Sequence, residues 1–184
     1  MEQKNIYALG FFDGVHRGHQ ALLRACCTMA EQTGGIPSAV TFDGHPDTLI
    51  SGVTPELINT PEDRLRLMKS FGIRQIRVFP FDRQMMTMPW QNFFRMLREE
   101  YGAGGLVCGD DFRCGYRGEG TAQMLARACR EEKMPCTVVP EQMLDGIRIS
   151  STYIRGLLKE GKAEEAVRFL GHPHLLSGKV VTGR

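Results

Sequence analysis

The chain has 184 residues, 42% of them hydrophobic and 24% charged, with a formal net charge of +2. That size suits one globular domain with a buried core. The small charge, with its arginines scattered along the chain, gives no ground for a nucleic-acid stripe or an anionic membrane surface. No apolar run reaches transmembrane length, and the polar start MEQKN has no h-region behind it. The six cysteines form no C-x-x-C pair and no zinc spacing, so they read as small apolar residues of a reduced, cytoplasmic protein.

In chain order, Ile6 to Phe12 is an apolar, β-branched and aromatic run that turns at Asp13-Gly14. The spacing of Leu22, Leu23, Cys26, Cys27 and Ala30 then predicts a helix, closed by Gly34-Gly35. A strand that turns directly into a helix aims free N–H groups at the turn. With His16, Gly18 and His19 there, the turn reads as an anion site. A second strand is expected to end at Phe42, before Asp43-Gly44-His45-Pro46, with a looser segment over 47–59. Thr60-Pro61-Glu62-Asp63 is a helix start: a cap, a proline at the first position and acids in the first turn. A third strand-like run from Ile73 to Pro80 and a helix opened by Met88-Pro89-Trp90 follow.

Gly105–Gly109 is short, apolar and glycine-flanked, as a buried parallel strand should be. It runs into Asp110-Asp111-Phe112-Arg113 and a glycine-rich loop. Thr121 caps the next helix, Pro135 and Pro140 bracket a fifth strand, and Ser150-Ser151-Thr152 opens a helix ending near Gly161. Another short helix, Ala163 to Leu170, comes before Gly171-His172-Pro173. Alternating strands and helices predict an α/β fold: a Rossmann-like doubly wound parallel sheet of about five strands with helices on both faces. Ligands in such sheets sit beyond the carboxyl ends of the strands, so four polar clusters, Asp13 to His19, His45-Pro46, Asp110 to Arg113 and Ser150 to Arg155, are expected to share one cleft.

The chemistry follows from the residue types. Two imidazoles near one turn donate to phosphate oxygens more effectively as charge builds in a transition state. Ser150, Ser151, Thr152 and Arg155 offer hydroxyls, helix-terminal N–H groups and a guanidinium, which suit polyphosphate. Arg155 lies one turn past Ser151, so both can face one ligand. The P-loop pattern and the usual dinucleotide-binding glycine fingerprint are both absent from the sequence.

G-F-F-D-G-V-H-R-G-H (Gly10–His19) resembles the H-x-G-H signature of nucleotidylyltransferases, and in fuller form that of the FMN adenylyltransferase domain of bacterial bifunctional riboflavin kinase/FAD synthetases. Thr41-Phe42 with His45-Pro46, Gly109–Gly115 (GDDFRCG) and Ile149–Arg155 (ISSTYIR) are similar to three further motifs of that family, in the same order. Gly171-His172-Pro173 and Gly178-Lys179-Val180-Val181 resemble its linker into a kinase half.

The resemblance implies transfer of AMP from ATP to FMN, giving FAD and pyrophosphate, with no covalent enzyme intermediate. It implies that His16, His19, Ser151 and Arg155 are catalytic. Gly10, Phe11, Asp13, Gly14, Gly18, Arg148, Ser150 and Thr152 would serve ATP. His45, Pro46, Asp111, Phe112 and Arg113 would serve FMN. Mg²⁺ would ride on the ATP phosphates, with no dedicated metal residues. Residues 1–171 are then the adenylyltransferase domain and 172–184 a linker-like tail. Kinase activity is not expected of these 184 residues, and the resemblance implies a covalently joined riboflavin kinase domain beyond Arg184 as a partner.

Two alternatives stand beside this reading: a non-catalytic flavin- or nucleotide-binding paralogue, and a sibling nucleotidylyltransferase with another acceptor. Cys114 departs from the family pattern, which has phenylalanine there. Ser150–Thr152 also reads as a plain helix cap, Trp90, Phe93, Phe94 and Leu97 as core or partner surface, and His172 and His174 as solvated.

Overall fold

The computed structural model describes residues 3–178 and Val180. Lys179 and 181–184 lie outside the described residues, and with them part of the linker-like segment. The chain runs β1 (Asn5–Leu9), α1 (Arg17–Thr33), β2 (Ile36–Phe42), α2 (Pro46–Ile50), α3 (Pro61–Ser70), β3 (Gln75–Phe79), α4 (Arg83–Thr87), α5 (Trp90–Glu99) and β4 (Ala103–Gly109). It continues through β5 (Arg113–Cys114), β6 (Gly120–Thr121), α6 (Ala122–Glu131), β7 (Cys136–Val139), β8 (Met143–Leu144), β9 (Ile147–Arg148), α7 (Ser151–Lys159) and α8 (Ala163–Leu170).

Five parallel strands form the sheet in the order β3-β2-β1-β4-β7. β1 lies at its centre, and the strand order reverses between β1 and β4. Side chains alternate along β1, as the two-residue period of a strand requires. Ile6 and Ala8 join Leu23, Cys26, Met29, Leu67 and Met68 beneath α1 and α3. Tyr7 and Leu9 join Phe93, Phe94, Leu97, Leu125 and Cys129 beneath α5 and α6. Both faces are therefore covered, which is why β1 is apolar at nearly every position. Each fully buried large apolar side chain contributes about 2 kcal/mol. The doubly wound sheet expected from the element pattern is the observed one.

A third cluster lies at the carboxyl-end corner of the sheet, where Ile58, Ile149, Ile154, Leu157, Phe169 and Leu170 join α7 and α8 to the first turn. There the tail histidines differ from their expected solvated state. His172 Nε2 lies 2.9 Å from the Gly14 carbonyl and His174 Nε2 lies 3.0 Å from that of Ile58. The first tail residues are thus fixed to the scaffold of the histidine turn.

The loose segment after residue 46 also begins with order. His45 caps α2 by accepting the Asp47 N–H at Nδ1 (3.1 Å), and Pro46 occupies the first helical position. α4 was not foreseen. Asp82 caps it, its carboxylate accepting the Met85 N–H at 2.8 Å. Thr60 caps α3 as expected, its hydroxyl accepting from the Asp63 N–H at 3.1 Å. In the glycine-rich loop, a Cβ on Gly115 or Gly120 would fall 2.7 or 2.4 Å from Trp90 Cβ, so glycine lets β5, β6 and α5 meet.

Candidate active site

The turn after β1 is under backbone strain. Phe12, Gly14 and Val15 have φ of 62°, 79° and 40°, the left-handed region that costs non-glycine residues about 1–3 kcal/mol each. Burial of Phe12 and Val15 holds their backbones there. Gly14 has a second reason to lack a side chain, since a Cβ would meet Ile58 Cδ1 at 2.8 Å.

Asp13, 2% exposed, ties this turn to the rest of the site. Its Oδ1 accepts the Ile58 N–H at 2.9 Å, its Oδ2 pairs with Arg155 Nη1 at 2.8 Å, and its carbonyl accepts the Ser151 hydroxyl at 2.9 Å. Ser151 and Arg155, one helical turn apart on α7, thus converge on one residue. Arg155 Nη2 also donates to Thr152 Oγ1 at 3.2 Å, and Ser150 caps α7 by accepting the Tyr153 N–H at 3.2 Å.

The histidine turn continues straight into α1. His16, 6% exposed, is the N-cap: its Nδ1 accepts the His19 N–H at 3.3 Å. That bond makes Nδ1 an acceptor and leaves the proton of a neutral ring on Nε2. The two imidazoles stack with centroids 3.6 Å apart and 15° between planes, and Phe12 meets His19 edge-on at 5.3 Å. Burial pulls His16 down to about 4, with His172 adding to the fall. Burial first, then His16 and Arg64, hold His19 well below the usual histidine value. Both rings are therefore neutral at pH 7. His19 Nδ1 is sealed without a partner among the described residues, which leaves Nε2 as the atom able to meet a ligand.

A polar cleft of about 520 Å³ opens at the carboxyl ends of β1 and β4, at the reversal of strand order. All four expected clusters reach it. His16, Gly18 and His19 come from the first, with Gly10 and Phe11 just before it, and His45 comes from the second. Asp110, Asp111 and Phe112 come from the third, Ser150, Ser151, Thr152 and Arg155 from the fourth, and Arg148 lies just before it. Asp13 and Gly14, expected to serve ATP, are not in its lining; they form the turn behind the cleft wall and fix its shape. At the rim, Arg148 Nη2 bridges Asp111 Oδ2 (2.5 Å) and Glu141 Oε1 (2.9 Å).

A second cavity of about 690 Å³ lies beside the cleft, with a largely apolar lining that includes Phe42, Phe81, Met85, Met86 and Phe93. The residues expected on the FMN side divide between the two. His45 and Asp111 line the cleft, Pro46 and Arg113 line the apolar cavity, and Phe112 lines both. Cys114 lines the cavity too, its thiol pushed up to about 12 by burial. Sequence reasoning missed Phe81, Met85 and Met86. Their one signal was Asp82 three residues before Met85, an ordinary cap spacing.

It also missed Arg64 of α3. This arginine is 2% exposed, donates from Nη2 to the Phe42 carbonyl at 2.7 Å, and lies 4.2 Å above the Phe11 ring centroid. Its Nε and Nη1 have no partner among the described residues.

A parallel sheet carrying a histidine-lined polar cleft at its switch point defines a doubly wound α/β domain with a ligand-binding end at the carboxyl ends of its strands. Comparison with known proteins makes this particular. A sequence profile of the family described as FAD synthetase matches residues 1–153, and the chain belongs to that family. A bifunctional riboflavin kinase/FMN adenylyltransferase of Listeria monocytogenes is 34% identical over 184 residues, covering 97% of this chain and 57% of the relative. A Geobacillus thermodenitrificans protein, provisionally named for the same two activities, is 32% identical, with 92% of this chain and 90% of the relative covered. A crystal structure described as a macrolide-efflux protein from Streptococcus pneumoniae aligns with a TM-score of 0.83 at 27% identity, covering 95% of this chain and 57% of that one. Among the described residues no helix is long and apolar enough to cross a membrane. The chain spans a little over half the length of the Listeria relative.

Proposed function

We propose that this chain transfers AMP from ATP to FMN, giving FAD and pyrophosphate. The observation that carries the reading is the pair of cavities meeting at Phe112. One is polar, with histidine, serine and arginine side chains suited to a polyphosphate; the other is apolar and large enough for a flat ring system. FMN joins an apolar ring system to a phosphate, so an FMN spanning the two would present its phosphate to ATP. The names of the relatives, which include FMN adenylyltransferase, support the same substrates.

In this mechanism an FMN phosphate oxygen attacks the ATP α-phosphorus in line. The new P–O bond forms as the bond to the β-phosphate oxygen breaks, and pyrophosphate leaves. His16 donates from Nε2–H, and His19 donates beside it, to the α-phosphate oxygens whose charge grows in the transition state. The first-turn N–H groups of α7, Ser150, Ser151, Thr152 and the guanidinium of Arg155 take the β- and γ-phosphates. Gly10 and Phe11 border the nucleotide, and Gly18 leaves its approach to the helix end open. Arg148 supplies a second guanidinium at the rim. Positioning and charge stabilisation account for the step without a nucleophilic side chain.

Mg²⁺ enters with ATP as part of that substrate. Among the described residues no group of three His, Cys, Asp or Glu side chains is placed to hold a metal ion, and Asp111 and Glu141 are engaged by Arg148. The chemistry is that of small metabolites, and with six free cysteines we place it in the cytoplasm. As further partner we propose the riboflavin kinase unit that the relatives' names imply, since its product would be this site's acceptor.

The test is incubation with Mg²⁺-ATP and FMN, reading FAD and pyrophosphate, with riboflavin as an acceptor lacking the phosphate and CTP as a control donor. FAD formed only from FMN and ATP is the expected result. Failure with FMN while another acceptor phosphate turns over would overturn the reading, as would ATP and FMN binding without pyrophosphate release.

A further inference from the structure

Arg64 breaks the rule that buried charges are paired. It is sealed from solvent, two of its three guanidinium nitrogens have no partner, and no ion pair reaches it among the described residues. Such an arrangement costs free energy, because a buried donor left unmade loses its water bonds without replacing them. The guanidinium stays charged even in this setting. Asp13 and Asp43 are the carboxylates whose charge favours it, yet Asp13 is already committed to Arg155.

The position of Arg64 explains why the cost is kept. Its plane lies over Phe11, which borders the polar cleft and meets His45 edge-on at 4.7 Å. Its one hydrogen bond holds the carbonyl of Phe42, the last residue of β2 and part of the apolar cavity's wall. A single buried cation therefore sits behind the walls of both cavities. Its charge also falls on His19, where it opposes protonation.

We propose that Arg64 is a positioning residue of this site: it fixes Phe11 and the end of β2, and its unpaired charge raises the affinity of the cleft for a polyphosphate. An anion in the cleft supplies the countercharge that the folded protein lacks. The energetic signature is a side chain that weakens the free protein and strengthens the complex. This rests on the polyphosphate half of the proposed function and not on the identity of the acceptor.

The decisive measurements use the 184-residue chain with Arg64→Met, which keeps the length and removes the charge and the fork, and Arg64→Lys, which keeps the charge alone. Thermal unfolding of the free proteins should place R64M at or above the parent. Calorimetry with inorganic tripolyphosphate and with Mg²⁺-ATP should show R64M binding at least about tenfold more weakly and R64K recovering part of that loss, tenfold being about 1.4 kcal/mol. In turnover the KM for ATP should rise by a larger factor than that for FMN. Unchanged tripolyphosphate binding in R64M overturns the proposal. So does a fall in melting temperature that accompanies the loss, because that is the behaviour of a purely structural arginine. If the parent binds tripolyphosphate but makes no FAD, the acceptor reading fails while this test still stands.

Discussion

His16 and His19 show how one pair of side chains can serve the fold and the chemistry together. The His16 ring closes the first turn of α1 through Nδ1, and the same bond points its Nε2 proton outward. Replacing His19 by alanine should lower kcat by about 10²-fold or more, the scale of losing one transition-state donor, with the KM for FMN nearly unchanged. Steady-state rates with FMN varied at saturating ATP check this. The pKa of His16 gives a stability prediction with a definite sign. Its folded value of about 4 lies below the ordinary 6.5, so the unfolded chain binds a proton that the folded one refuses. The stability is present above pH 6.5 and is lost as pH falls through 4. The full difference is about 3 kcal/mol at 1.36 kcal/mol per pH unit. Urea unfolding at pH 7 and pH 4.5 should show most of that fall in the parent and a smaller one in His16→Asn, whose amide can still cap α1.

At the scale of elements, the working unit is the clasp between the first turn and α7. Asp13 receives Ser151, Arg155 and the Ile58 amide, and the strained backbone from Phe12 to Val15 is stable only because these partners over-determine it. Asp13→Asn keeps the shape but removes the charge opposite Arg155. Breaking a buried pair from one side costs about 3 kcal/mol, and chemical denaturation should show a loss of that order with an accompanying rise in the KM for ATP. His172 and His174 extend the clasp, since their ring nitrogens meet the carbonyls of Gly14 and Ile58. What reads as linker in the sequence is, up to residue 174, part of the scaffold behind the histidine turn.

At the scale of the whole molecule, two cavities of different character border Phe112, and each draws residues from distant parts of the chain. Their separation makes a prediction about selectivity. Arg155→Ala should raise the KM for ATP and spare that for FMN, whereas Met85→Glu, which puts a charge on the apolar wall, should do the reverse by at least about tenfold, as a charge forced into an apolar wall costs well over 1.4 kcal/mol. Initial rates over a grid of both substrates distinguish these patterns; a shift of both KM values together in either variant would contradict the division.

What the sequence determined by itself is what rests on local chemistry. Thr60 and Pro61 specify a helix start, Asp13-Gly14 a turn, and the glycine-flanked run to Gly109 a buried strand, each through neighbours only a few residues away. The order of strands and helices then implied a parallel sheet, and the polar clusters at the strand ends implied one cleft; both are seen. What only the tertiary structure decided rests on partners far apart in the chain. Arg64 looks like an ordinary surface residue of a capped helix until Phe11 and Phe42 close over it. Met85 and Met86 belong to a five-residue helix too short to show a period, and only the closing of the sheet beside it makes them a cavity wall. Asp13 reads as a turn residue because nothing nearby reveals Arg155, 142 positions further on. Turn and cap chemistry acts over a few bonds and is written in the sequence; burial and charge compensation act through space, and only the folded chain brings those groups within reach.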